Sequence, residues 1–116
     1  MLLIEYPTCS TCQKAAKWLT ARGCEFDRRH IKENPPTAQE LRQWHERSGL
    51  PLKKFFNTCG TVYKTMNLKE KLPAMTEEEQ YALLASDGML VKRPILIAVD
   101  QIRVGFREKE WEEVLG

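Results

Sequence analysis

Leu2-Leu3-Ile4-Glu5-Tyr6-Pro7-Thr8-Cys9-Ser10-Thr11-Cys12-Gln13-Lys14-Ala15-Ala16 is the stretch on which the fold turns. Leu2 to Tyr6 is short, apolar and closed by Pro7, the pattern of a buried strand rather than a helix. From Ser10 to Arg22 the pattern changes. Ala15, Ala16, Trp18, Leu19 and Ala21 recur among Lys and Gln, and Gly23 stands where a left-handed C-terminal cap would sit. Glu25 to Ile31 then alternates in character, so strand, helix and strand open the chain. That βαβ order favours a parallel strand pair with a right-handed crossover.

Further along, Thr37 with Glu40 and Thr76 with Glu79 each fit a capping box, in which hydroxyl and carboxylate satisfy orphan N–H groups reciprocally. The first helix so marked runs through Leu41, Trp44 and Ser48 to Gly49. The second runs through Tyr81, Leu83 and Leu84 and is expected to end at Gly88. Leu52 to Leu72 carries Phe55, Phe56, Val62, Tyr63, Met66 and Leu68 at mixed spacing and reads as short helices. Strand patterns return at Ile95–Val99 and Ile102–Phe106, an antiparallel hairpin about a polar turn at Asp100-Gln101. A last amphipathic helix starts near Glu108, with Trp111, Val114 and Leu115 on one face. The order is βαβ, a helical insertion over about residues 35–90, then ββα: an α/β chain expected to form a single domain over 1–116.

Composition bounds the function classes. The chain has 116 residues, 42% of them hydrophobic, and 18 Lys+Arg against 16 Asp+Glu, a formal charge of +2. It can bury a core without self-repulsion, and its charge balance disfavours direct nucleic-acid binding, which needs a strongly basic face. No apolar run approaches the roughly 18 residues of a membrane span. Met1-Leu2-Leu3-Ile4-Glu5 lacks the basic start of an export signal, so a cytoplasmic location is expected. A monomer is expected. Of four cysteines, Cys9, Cys12, Cys24 and Cys59, none is needed as a staple in such a chain, which leaves chemistry as the better account of at least one pair.

Cys9 and Cys12 fall where the first strand ends and the first helix begins. A cysteine at the helix N-cap faces unpaired N–H groups and the positive end of the helix dipole, both of which favour thiolate over thiol. Cys12, one turn on, lies along the same face, within reach of a disulfide. Two other readings stand beside this one, a zinc half-site and a pair of buried thiols used as small hydrophobes. The zinc reading lacks a second ligand pair, since Cys24 and Cys59 are isolated and His30 and His45 have no metal-ligand spacing; no metal is expected. Cys24 and Cys59 read as ordinary half-buried thiols, with a resolving role as the alternative. Arg93, in Lys92-Arg93-Pro94 ahead of the last hairpin, could bring a guanidinium to the thiolate and a fork to an oxyanion, or could be a solvated surface charge.

Taken together, Tyr6-Pro7-Thr8-Cys9-Ser10-Thr11-Cys12, Phe55-Phe56-Asn57-Thr58-Cys59-Gly60, Leu83-Leu84-Ala85-Ser86-Asp87-Gly88, Lys92-Arg93-Pro94-Ile95 and Val104-Gly105-Phe106 resemble the arsenate reductase (ArsC)/Spx family. The resemblance implies a thioredoxin-like fold with a helical insertion and a cis bond at Arg93–Pro94. In the reductase branch one cysteine attacks arsenate, glutathione resolves the adduct with glutaredoxin as its partner, and three arginines hold the oxyanion. Cys9 matches the nucleophile, Arg93 one arginine and Arg107 another. Where the middle arginine would stand, the chain reads Asn57-Thr58-Cys59-Gly60-Thr61-Val62-Tyr63-Lys64, and Lys64 offers a point charge without a fork. The Spx branch uses a Cys-x-x-Cys as a disulfide switch and binds the RNA polymerase α subunit. The resemblance thus implies a thiol-dependent reductase of an oxyanion or disulfide, with no bound cofactor and glutathione or glutaredoxin as reductant. Its alternative is a redox-switched regulator.

Overall fold

β1 (Leu2–Glu5) lies between two neighbours in a four-stranded sheet of order β2-β1-β3-β4, with β2 at Asp27–His30, β3 at Ile95–Ile97 and β4 at Ile102–Val104. The structure, a computed structural model, describes residues 1–99 and 101–115. β1 pairs with β2 in parallel and with β3 antiparallel, and β3 pairs with β4 antiparallel. The helix between β1 and β2, α1 (Ser10–Ala21), is the crossover that the βαβ order requires. It closes as its sequence implies, at Arg22 followed by Gly23 with φ +73. The predicted thioredoxin-like α/β fold is the one observed. Both hairpin strands are shorter than their apolar runs suggest, and of the expected turn at Asp100-Gln101, Asp100 lies outside the described residues.

The chain divides into two units, Met1–His30 with the segment from Arg93 onward, and Ile31–Lys92. In the first, Leu3, Ala15, Ala16, Leu19, Leu96 and Trp111 form a core from β1, α1, β3 and the last helix, α6 (Glu108–Leu115). Phe106 meets the Trp111 ring edge-on at 4.8 Å, and the Trp111 indole N–H donates to the Gly105 carbonyl at 3.0 Å. Cys24 packs against this core, as a thiol acting as a small hydrophobe would. A charge is also buried here. Glu5 is 3% exposed, and the Arg28 guanidinium grips it in a fork, Nε to Oε2 and Nη2 to Oε1, both 2.9 Å. The Glu5 carboxylate in turn holds the Arg28 pKa above its ordinary value.

The second unit holds α2 (Ala38–Ser48), the short α3 (Thr61–Thr65) and α4 (Leu68–Lys71), and α5 (Glu77–Ser86). Both capping boxes form, Thr37 with Glu40 and Thr76 with Glu79, each hydroxyl accepting from the N3 amide and each carboxylate from the N-cap amide. α2 and α5 meet through His45 Nδ1 and the Tyr81 hydroxyl, 2.7 Å apart. One expectation fails. Gly88 is not a C-terminal cap, because α5 stops at Ser86, Asp87 is extended, and Gly88 opens a 3-10 turn. Its glycine has a steric cause instead: a Cβ there would lie 1.9 Å from the Ile31 carbonyl oxygen.

Candidate active site

The end of β1 sets the site. Past Glu5 the chain turns through Tyr6, Pro7 and Thr8, and the Cys9 amide closes that turn on the Tyr6 carbonyl at 2.9 Å. Cys9 is then the N-cap of α1, extended at φ −76 and ψ 123, and no acidic side chain occupies the first turn. The positive end of α1 is therefore left to the sulfur. Cys12, one turn along, is fully buried and receives the Tyr6 N–H on its Sγ at 3.5 Å. Both are free thiols.

Sheet register brings the arginine. β1 and β3 pair Leu2 with Ile97, Leu3 with Leu96 and Ile4 with Ile95, so continuing the ladder by two residues sets Arg93 opposite Tyr6. The Arg93 Cζ lies over the Tyr6 ring, 5.2 Å from its centroid. The Arg93–Pro94 bond is cis, as the family resemblance implies. The guanidinium reaches the Cys9 sulfur, yet its Nε and Nη1 are buried without a hydrogen-bond partner. Buried donors of this kind are rare and call for an acceptor.

The two thiols are driven apart. Burial pushes the Cys9 thiol up, but the Cys12 amide, the Cys12 thiol, the Thr11 amide and Arg93 together outweigh it, and its pKa falls below the ordinary value. In the thiol form Cys9 makes no capping hydrogen bond, so these donors act chiefly on the thiolate. Burial pushes Cys12 up as well; the Tyr6 amide opposes this, the nearby Cys9 charge adds to it, and the thiol is pushed up to about 12. A sulfur whose thiolate is favoured therefore sits beside a thiol that keeps its proton.

Arg107 follows β4, which β3 separates from β1, or roughly 10 Å at the usual strand spacing. Its side chain is 78% exposed and its Nε faces the Glu110 carboxylate at 3.5 Å. Lys64 is exposed on α3 of the second unit, and Cys59 is exposed just before that helix. Among the described residues no three His, Cys, Asp or Glu side chains cluster as metal ligands would, and no helix is long and apolar enough to cross a membrane. Sequence reading missed the Tyr6 ring; the cue available was an aromatic residue closing β1, whose partner only the register reveals.

A sheet of this order, with a Cys-x-x-Cys at the start of α1 and a cis-proline ahead of β3, defines a thioredoxin-like protein of thiol chemistry. The chain belongs to the ArsC family, which it matches over residues 4–114. It is 55% identical over 108 residues to the uncharacterized protein YusI of Bacillus subtilis, covering 93% of this chain and 92% of that one. A crystal structure described as a possible arsenate reductase from Streptococcus mutans superposes with a TM-score of 0.88 at 45% identity, covering 96% of each chain. The regulatory protein MgsR of Bacillus subtilis is 30% identical over 105 residues, covering 90% of this chain and 82% of that one.

Proposed function

We propose that the protein is a thiol-dependent reductase of the arsenate-reductase type, with Cys9 as nucleophile. The observation that carries this reading is the pair of unpartnered, buried Arg93 donors beside a sulfur of lowered pKa. An oxyanion drawn to Arg93 would come to the thiolate it neighbours. For arsenate, the Cys9 thiolate bonds to arsenic as one oxygen departs, protonated, as water. A second thiol then attacks the Cys9 sulfur, so that a disulfide forms and the S–As electron pair stays on arsenic, which leaves as As(III). The two electrons lost by the thiols are the two that arsenic gains. Cys12 is one candidate for that second thiol, since the Cys9 charge that helps hold its proton is gone once Cys9 is bonded to arsenic, and the proton can pass to a departing arsenite oxygen as the sulfur attacks; glutathione can serve instead, with glutaredoxin returning the enzyme to its reduced state in the cytoplasm. Arg107, in the same unit as Cys9, is a candidate for a further anion contact.

Arsenate-dependent NADPH oxidation, coupled through glutathione, glutaredoxin and glutathione reductase, tests the proposal. Wild type should turn over and Cys9→Ser should not; turnover that survives Cys9→Ser removes Cys9 from the role. The similarity to MgsR favours a second reading, a regulator whose Cys9–Cys12 bond alters its affinity for a polymerase subunit. That reading expects a Cys9–Cys12 disulfide to form with no arsenate-dependent turnover.

A further inference from the structure

Tyr6 touches every member of the site. Its carbonyl accepts the Cys9 N–H at 2.9 Å, its N–H donates to Cys12 Sγ at 3.5 Å, and its ring lies under Arg93 at 5.2 Å. The main-chain bonds would be made by any residue there. The ring is specific to an aromatic, and the His30 ring at the end of β2 meets it edge-on, 5.6 Å away at 88°. A guanidinium with Nε and Nη1 buried and unpartnered needs something other than hydrogen bonds to hold its plane, and an aromatic face does this by cation–π attraction while leaving the in-plane donors open.

We propose that the Tyr6 ring is a positioning residue: braced by His30, it holds the Arg93 guanidinium beside the Cys9 sulfur and leaves Nε and Nη1 free of protein partners, for the substrate anion to engage. Tyr6 acts through Arg93 and touches no reacting atom. The inference rests on the assignment of Arg93 and Cys9 as anion-binding group and nucleophile, and it predicts how much of their effect depends on one ring.

The substrate-free test is the pH profile of Cys9 alkylation by iodoacetamide in the full-length protein, for wild type, Tyr6→Phe, Tyr6→Leu, Arg93→Gln and the Tyr6→Leu/Arg93→Gln double variant. Tyr6→Leu removes the platform, so the alkylation midpoint should move to higher pH, in the same direction as Arg93→Gln. Tyr6→Phe keeps a ring face and should stay close to wild type. In the Arg93→Gln background the Tyr6→Leu change should have no further effect. The arsenate KM of Tyr6→Leu should rise about threefold to tenfold, the range a partly desolvated guanidinium–ring contact supplies. Far-UV circular dichroism checks each variant for folding, and Tyr6→Phe carries the test if Tyr6→Leu does not fold, since loss at Phe would assign the effect to the hydroxyl and overturn the proposal. It is also overturned if Tyr6→Leu shifts the profile equally with and without Arg93. If Arg93→Gln itself leaves the profile unmoved, the assignment of Arg93 fails; if Arg93→Gln shifts it and Tyr6→Leu does not, the role of Tyr6 alone fails.

Discussion

Brief iodoacetamide labelling of the reduced protein at pH 7, read by peptide mapping, is expected to mark Cys9 and leave Cys12 bare. Cys12 is pushed up to about 12, first by burial and then by the Cys9 charge beside it. About one Cys12 in 10⁵ is then thiolate at pH 7, against roughly 3% of an unperturbed thiol with a pKa of about 8.5. That is a deficit of about three thousandfold. Part of it is returned, because a more basic thiolate is the better nucleophile; with a Brønsted slope of about 0.4–0.5 over this range the gain is roughly 25- to 60-fold. Cys12 should therefore label about a hundredfold more slowly than a free thiol on ionisation alone, and its 0% exposure widens the gap. Cys9, with its pKa lowered, should stay reactive below the pH at which free thiols lose reactivity. Cys12→Ala removes a donor to the Cys9 thiolate and should move the Cys9 profile to higher pH. Denaturation should erase the preference. Equal labelling of both cysteines in the folded protein would refute the argument that burial and the helix terminus separate the pair.

Alkaline pH should destabilise the fold through Cys12, because its unfolded thiol loses its proton near pH 8.5 while the folded one holds it until about 12. Across that window folding binds a proton, so stability falls by about 1.4 kcal/mol per pH unit, and urea melts at pH 9 to 11 should show Cys12→Ala without this contribution to the slope. Gly88→Ala should cost about 1–3 kcal/mol or prevent folding, since the added methyl would sit 1.9 Å from the Ile31 carbonyl oxygen; a melting temperature equal to wild type would contradict the placement of that glycine.

Where a structural cue is local, the sequence reveals it. The capping boxes at Thr37 and Thr76, the left-handed glycines after α1 and α2, and the Cys-x-x-Cys at a strand-to-helix junction each lie within a few residues of what they determine. Gly88 misleads because its constraint comes from Ile31, more than fifty positions away, while its neighbours resemble a helix end. Arg93 and Arg107 look alike as basic residues flanking the last hairpin, and only strand order separates them. The ladder continues Arg93 to a place beside β1, whereas Arg107 leaves a strand at the sheet edge and turns to Glu110. The same register hid the partner of Tyr6.

The three longest helices show what sets the cysteine pair apart within this one chain. α2 and α5 begin with a Thr–Glu box, their terminal amides occupied and a carboxylate set against the positive end of the dipole. α1 begins with Cys9, has no acidic residue in its first turn and makes no side-chain capping bond. Local propensity does not require the exception, since serine or aspartate at position 9 would cap α1 and stabilise it by about 1 kcal/mol. The uncapped start leaves the helix terminus available to a thiolate, and Arg93, its Nε and Nη1 unpartnered, adds a second source of positive potential that the fold does not neutralise. Two departures from the chain's own rules of stabilisation thus meet at one sulfur. This coincidence is expected where stability has been given up for reactivity, and not where two cysteines merely fill a core.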